Sequence, residues 1–381
     1  MEKERVVFLD WLRVLACFLV ICVHSIEPFY LGGPNGTFIA STSDALWVGL
    51  VNSFCRCCVP LFVMVSAFLL FPLKYDSGTF LRKRFTRVLV PAAVWLVMYA
   101  VVPMYGCDYD PSAALKELPF NFTGAAGHLW FVFMVMGLYI MMPLLSPWAR
   151  EVSRKELSIY IGIWLITTTI PFIRQLAPEG TLFVPEIGGS LWGEANWNEF
   201  GLFYGISGFI GYMLVALYFK RFVPADLSWG RTLAVALPCI IVSYCIAAGL
   251  FLKGLPSEFP LDDAYRRAIS LEIPWRFCST GIVLLTIGMF TLMRKVRFSG
   301  KFYSAVVRPL SEASYGTYLM HIFFLLFFSA LWRGQVPGCE AAALPSTGLV
   351  ILCTAVCTFI TASTVSILIR KIPVAGKWIA G

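Results

Sequence analysis

Long apolar runs separated by short polar stretches dominate this chain. Ten of them are long enough to be read as helices through a hydrocarbon layer about 30 Å thick. They cover residues 7–28, 47–71, 87–104, 128–146, 157–174, 199–219, 232–252, 274–293, 311–331 and 347–369. The pattern predicts an all-α polytopic bundle formed by one transmembrane domain over residues 1–381. The chain stops soon after the tenth run, so no appended soluble domain is expected. The first run has the charged start and apolar middle of a signal peptide. Asp10 and Arg13 interrupt it and no small-residue cleavage site follows, so it is expected to stay as a helix. No internal repeat, long linker or low-complexity segment stands out.

Composition strengthens this picture. Hydrophobic residues make up 59 % of the chain and charged residues 14 %, where a soluble protein carries about a quarter charged. The basic residues give orientation. With ten spans, 21 of the 30 Lys and Arg fall on one side, which predicts that this side and both termini are cytoplasmic. The same bias accounts for the net charge of +8 and leaves no argument for nucleic-acid binding. The opposite loops are longer and acidic, with Asp108, Asp110 and Glu117, then Glu179 to Glu199, then Glu258, Asp262, Asp263 and Glu272. Such loops either cover a cavity mouth or are plain solvated connections.

The twelve cysteines show no metal pattern. Cys55, Cys57 and Cys58 form a CxCC run with no histidine or acid nearby in sequence, and no metal is expected. Cys107 and Cys339 fall in outer loops, where a disulfide between them is possible. Gly201, Gly205, Gly208 and Gly211 line one face of the sixth run, which predicts close approach of a neighbouring helix.

The candidate chemistry starts with three histidines, the only ones in 381 residues. Each lies in or at the edge of an apolar run: His24, His128 and His321. Histidine exchanges protons near neutral pH, and inside a membrane it usually faces protein or a wet cavity. Arg13 is eleven residues before His24 in the same run. On a helix that returns to within about 20° of the same face, roughly 16 Å along the axis. Asp10 is one turn from Arg13, so the pair lowers the cost of burying either charge. The alternative is an ion pair that only orients the helix.

Four cations, Arg82, Lys83, Arg84 and Arg87, fall within six residues at the inner start of the third run. Such clusters are usually topogenic. Arg84 and Arg87, three apart, can also turn two guanidinium forks towards a phosphorylated ligand. Arg56, costly inside the second run, is expected to face the bundle interior and to help with charge or ligand. His128, with Trp130, opens the fourth run. Tyr318 sits one turn before His321 and can orient it.

In order along the chain, these residues resemble the motifs of the membrane-bound acyltransferase-3 family. Asp10-Trp-Leu-Arg13, ten residues and His24 resemble its opening motif. Arg56-Cys-Cys-Val-Pro60 through Ser66 is similar to its second segment, and Arg84-Phe-Thr-Arg87 with Pro91 to its Arg-x-x-Arg element. His128-Leu-Trp130-Phe131 and Ser314-Tyr-Gly316-Thr-Tyr318-Leu-Met-His321 resemble two later motifs. Ala67 departs from the family's usual glycine after the serine, and the esterase-like domain fused to some members is absent. The layout is similar to the short, stand-alone subtype typified by the O-acetyltransferase of enterobacterial common antigen.

The resemblance implies transfer of an acyl group, commonly acetyl from acetyl-CoA, to a hydroxyl of a glycan or lipid-linked sugar. It implies a multi-pass protein of a bacterial cytoplasmic membrane. His24 is the expected base, with Arg13 and Asp10 completing the catalytic set. Arg84, Arg87 and Arg56 are the expected cofactor-binding residues. His128, Trp130, Tyr318 and His321 are expected to support the substrates. Whether histidine acts as a base or carries the acyl group stays open. Two other readings share the same residues. A carrier or flippase for an envelope glycan would use the polar stripe as a pathway, and a membrane scaffold would leave His24 and Arg13 dispensable.

Overall fold

The computed structural model describes residues 5–31, 39–107, 110–121, 124, 126–176, 205–255, 259 and 272–381. Among them there is no strand, and nine helical stretches are long and apolar enough to cross a membrane. In chain order the helices are α1 Val7–Ile26, α2 Thr42–Cys55, α3 Cys58–Leu70, α4 Ser77–Val101, α5 Pro111–Glu117, α6 Trp130–Glu151 and α7 Arg154–Thr167. They continue with α8 Ile170–Leu176, α9 Ile210–Phe222, α10 Trp229–Gly254, α11 Thr280–Met293, α12 Arg308–Trp332, α13 Thr347–Arg370 and α14 Ala375–Ile379. The protein is an all-α integral membrane bundle.

Helix α1 runs through the middle. It packs against α2, α3, α12 and α13, and more lightly against α11. Leu9, Leu12, Ala16, Leu19, Ile21 and Val23 are buried there, so the one helix with a polar stripe is screened from lipid. Arg5, just before α1, bonds Glu312 at the start of α12. The C-terminal segment turns back after α13 at Val374, whose φ is 63°, and lies against α4 and α12. There Trp95 Nε1 donates to the Ile379 carbonyl at 2.8 Å and Arg370 donates to the Gly381 carbonyl. Both described ends of the chain therefore occupy the same half of the bundle.

Three expected spans look different in the structure. The span placed at 47–71 is two helices interrupted at Arg56–Cys57. The span placed at 87–104 begins ten residues earlier, at Ser77, because Asp76 caps it by accepting from the Thr79 amide at 2.8 Å. The basic run thus lies inside α4, not ahead of it. Of the span placed at 199–219, residues 199–204 lie outside the described residues, and helix is present over Ile210–Phe222. Gly205 and Gly208 precede this helix, so the four glycines do not form one helical face. Of the three described glycines, Gly211 makes the close approach, its α-carbon facing the indole of Trp164. No disulfide joins Cys107 and Cys339.

A methyl group at Gly211 would collide with the Trp164 ring. Gly211→Ala is expected to destabilise the protein by about 1–3 kcal/mol, the usual cost of overpacking. Thermal melting in detergent checks this. An unchanged melting temperature would mean that α7 and α9 do not pack as described.

Candidate active site

Lipid offers no partner to a polar side chain, so every polar group on α1 must find one inside the bundle. At the Arg5 half, Asp10 accepts four hydrogen bonds. They come from Arg5 Nε at 2.5 Å and Nη2 at 3.1 Å, from Ser311 Oγ at 2.6 Å and from Tyr303 OH at 2.7 Å. Arg13, the expected partner, stands further off at 3.6 Å and donates instead to Ser311 Oγ at 3.1 Å. Asp10 thus anchors α1 chiefly through Arg5 and α12. The Asp10 carboxylate, and then Glu312, hold the Arg5 guanidinium more firmly protonated than usual.

Arg13 is left facing other cations. It lies within electrostatic range of Tyr139 and Arg87, and Arg84 lies within range of the same two residues. Arg84 and Arg87 form no ion pair among the described residues. The Arg84 Nε is buried without a hydrogen-bond partner, and its guanidinium lies over the Phe80 ring at 5.8 Å. Two guanidiniums beside Tyr139, with Arg87 within range of both and one carboxylate already committed elsewhere, make a site suited to an anion.

Aromatic rings lead away from this cluster. Tyr315 lies within electrostatic range of Tyr139 and stacks near Tyr318 at 6.4 Å. Tyr318 in turn lies 5.9 Å from His321 and 5.8 Å from His128. The rings of the three histidines converge: His24 is 5.1 Å from His321 and 6.2 Å from His128, and those two are 5.1 Å apart. Residues far apart in the chain are thus brought to one point by α1, α6 and α12. No group of three or more His, Cys, Asp or Glu among the described residues is placed to hold a metal ion.

The three rings are held differently. His24 Nδ1 meets Glu27 Oε2 at 2.9 Å. A carboxylate on Nδ1 orients the ring, leaves Nε2 to act as the base and stabilises the imidazolium that forms. His321 Nδ1 meets the Tyr318 carbonyl at 2.6 Å. A carbonyl only accepts, so this partner assigns the proton to Nδ1 and makes Nε2 an acceptor. The Nε2 atoms of both His321 and His128 are buried with no hydrogen-bond partner. Tyr318 OH donates to the His128 carbonyl at 2.5 Å, tying α12 to the start of α6.

Arg56 belongs to the His24 half, away from Arg84 and Arg87, which corrects the expectation of one shared cofactor site. Its Nε donates to Asn52 Oδ1 at 2.9 Å, and its Nη2 donates to Tyr30 OH and Glu272 Oε1, each at 2.9 Å. Trp130 opens α6 beside Phe209 and Phe277, at 6.0 and 5.6 Å. Sequence reasoning missed Glu27, although an acid one turn after a buried histidine was a readable signal. It also missed Arg5 and Tyr303 as partners of Asp10 and Tyr139 as the neighbour shared by Arg13 and Arg84. Those contacts cross between helices, and nothing local marks them.

A family description, an acyltransferase domain, matches residues 6–367 of the chain. No curated protein and no solved structure matches it significantly.

If the Arg5–Asp10–Ser311 seam locks α1 in place, Asp10→Ala strips three donors of their shared acceptor. The expected loss is on the order of 3 kcal/mol, typical of breaking a buried pair from one side. Thermal unfolding in detergent measures it. Wild-type stability would assign the locking of α1 to apolar packing alone.

Proposed function

Because the chain belongs to the acyltransferase-3 family, we propose that it moves an acyl group, acetyl in the simplest case, from cytoplasmic acyl-CoA to a hydroxyl of a cell-envelope glycan or glycolipid. The observation that carries this reading is the pairing of two sites along α1. An anion-suited cluster of Arg13, Arg84 and Arg87 lies at one end, and a carboxylate-backed histidine lies roughly 16 Å further along the helix. The inner arginines would hold the phosphates of the donor. The rings of Tyr139, Tyr315 and Tyr318 would flank its arm on the way to His24.

At the His24 end the chemistry is general-base catalysis. A hydroxyl is a weak nucleophile and needs its proton removed as it attacks. His24 Nε2 would take that proton while the hydroxyl oxygen bonds the thioester carbon. The carbon–sulfur bond then breaks, and the proton passes from His24 to the departing thiolate. Glu27 would stabilise the transient imidazolium. His321, with its proton on Nδ1, can accept a hydrogen bond at Nε2 from the acceptor hydroxyl or a water but cannot donate from that atom to an oxyanion. The basic bias of the Arg5 half supports an orientation with that half cytoplasmic, and this chemistry would then lie near the outer face of a bacterial cytoplasmic membrane.

A carrier for an envelope glycan is the second reading. It draws on the helix interruptions at Arg56–Cys57 and before α11, since discontinuous helices are common in transporters. It gives no role to the cation cluster around Tyr139.

Radiolabelled acetyl transfer from acetyl-CoA in membranes tests the proposal. Wild type should label lipid or glycan. His24→Ala should lose about 10²–10⁴-fold in rate, the usual share of a general base, while still binding CoA. Normal turnover by His24→Ala would remove it as the base. Replacing Arg84 and Arg87 together by Gln should weaken CoA binding by at least about tenfold, given the strength of charge-assisted hydrogen bonds. Unchanged affinity in a titration would assign both arginines to topology.

A further inference from the structure

A cavity of about 320 Å³ opens at the start of α6, where Trp130 lines it, at the small end of ligand-pocket sizes. Both helix interruptions border it, Arg56 from the α2–α3 turn and residues 276–278 from the stretch before α11. Trp130, Phe209 and Phe277 form one wall, with ring separations of 5.6 to 6.1 Å. The polar wall is the Arg56–Glu272 ion pair with Tyr30 OH donating to Glu272 Oε1 at 2.7 Å. Arg56 Nη1 and Glu272 Oε2 take no part in these bonds. Gly208 completes the rim, and a Cβ there would meet nothing within 4 Å.

We propose that this pocket is the acceptor subsite, and that it holds a sugar ring stacked on Trp130 and Phe277 with hydroxyls hydrogen-bonded to Arg56 and Glu272. The inference rests on the acyl-transfer reading and names where its acceptor sits. Three observations carry it. First, one lining residue connects the pocket with the neighbourhood of the proposed base: Arg56 lies within electrostatic range of Glu27, the partner of His24. Trp130 follows His128 by two residues, so the aromatic wall and the histidine cluster share the start of α6. Second, the Arg56–Glu272 pair leaves Arg56 Nη1 and Glu272 Oε2 outside its bonds, and Arg276 also lines the cavity. Ligand hydroxyls can use that donor and that acceptor without breaking the pair. Third, an aromatic face with a few converging polar groups at its edge matches a sugar, which has an apolar face and a rim of hydroxyls.

The interruption at Arg56–Cys57 also gains a purpose. It falls at Arg56, whose side chain lines the cavity.

The test uses the full-length protein in membranes, radiolabelled acetyl-CoA as donor and a glycolipid extract of the native membrane as the titrated acceptor. Trp130→Ala is expected to raise the KM for the extract about tenfold or more. Trp130→Phe should restore most of it, and the Kd for CoA should stay within about twofold of wild type in both. Glu272→Gln should also raise the acceptor KM. Wild-type KM in Trp130→Ala would overturn the subsite. So would a parallel loss of CoA affinity, which would mark Trp130 as structural. If wild type itself transfers no label and binds no CoA, the acyl-transfer reading fails and this subsite falls with it.

Discussion

The polar stripe of α1 must be closed off inside the bundle, because hydrocarbon gives a carboxylate, a guanidinium or an imidazole nothing to bond. That constraint places α1 at the centre and makes α12 its main polar partner. Asp10 is answered by Ser311 and Tyr303, Arg13 by Ser311, and the ring of His24 by that of His321. Between these contacts, Cys17 Sγ faces the Ser314 carbonyl at 3.7 Å. Once the two helices share this seam, the positions of α4, α6 and α13 follow from packing around it.

The two ends of the seam differ in electrostatics, and the proposed division of labour comes from that difference. At the Arg5 end, cations outnumber the acids that face them: Arg84 and Arg87 have no ionic partner among the described residues, and Asp10 and Glu312 are held by Arg5. Such a surplus is stable only next to water or an anion. At the His24 end the two acids meet partners at short range, Glu27 the His24 ring and Glu272 the Arg56 guanidinium. A charged donor suits the first end, and a hydroxyl-bearing acceptor suits the second.

Much of this was readable in the sequence, because membrane helices impose a strict period. The shared face of Arg13 and His24 follows from a spacing of eleven residues, and the bundle class follows from the length of the apolar runs. Tyr318, one turn from His321, does lie against that ring. What failed was boundary and partner. The cap at Asp76 lengthens α4 by ten residues against expectation and draws the arginines into it. The turn at Arg56 contains neither Gly nor Pro, but Pro60, four residues on, has no N–H for the Arg56 carbonyl, a local signal that went unused. Glu272 stood out only as one acid among several in outer loops. Its pairing with Arg56 spans 216 residues, a contact that only the fold can supply.

The most direct test of the account is a map of the protein with acetyl-CoA bound, by electron cryo-microscopy in nanodiscs. The account predicts phosphate density against Arg13, Arg84 and Arg87, and the arm passing Tyr315 and Tyr318 to end beside His24. Phosphates bound at the Glu272 end, or an arm that never approaches the three histidines, would contradict it.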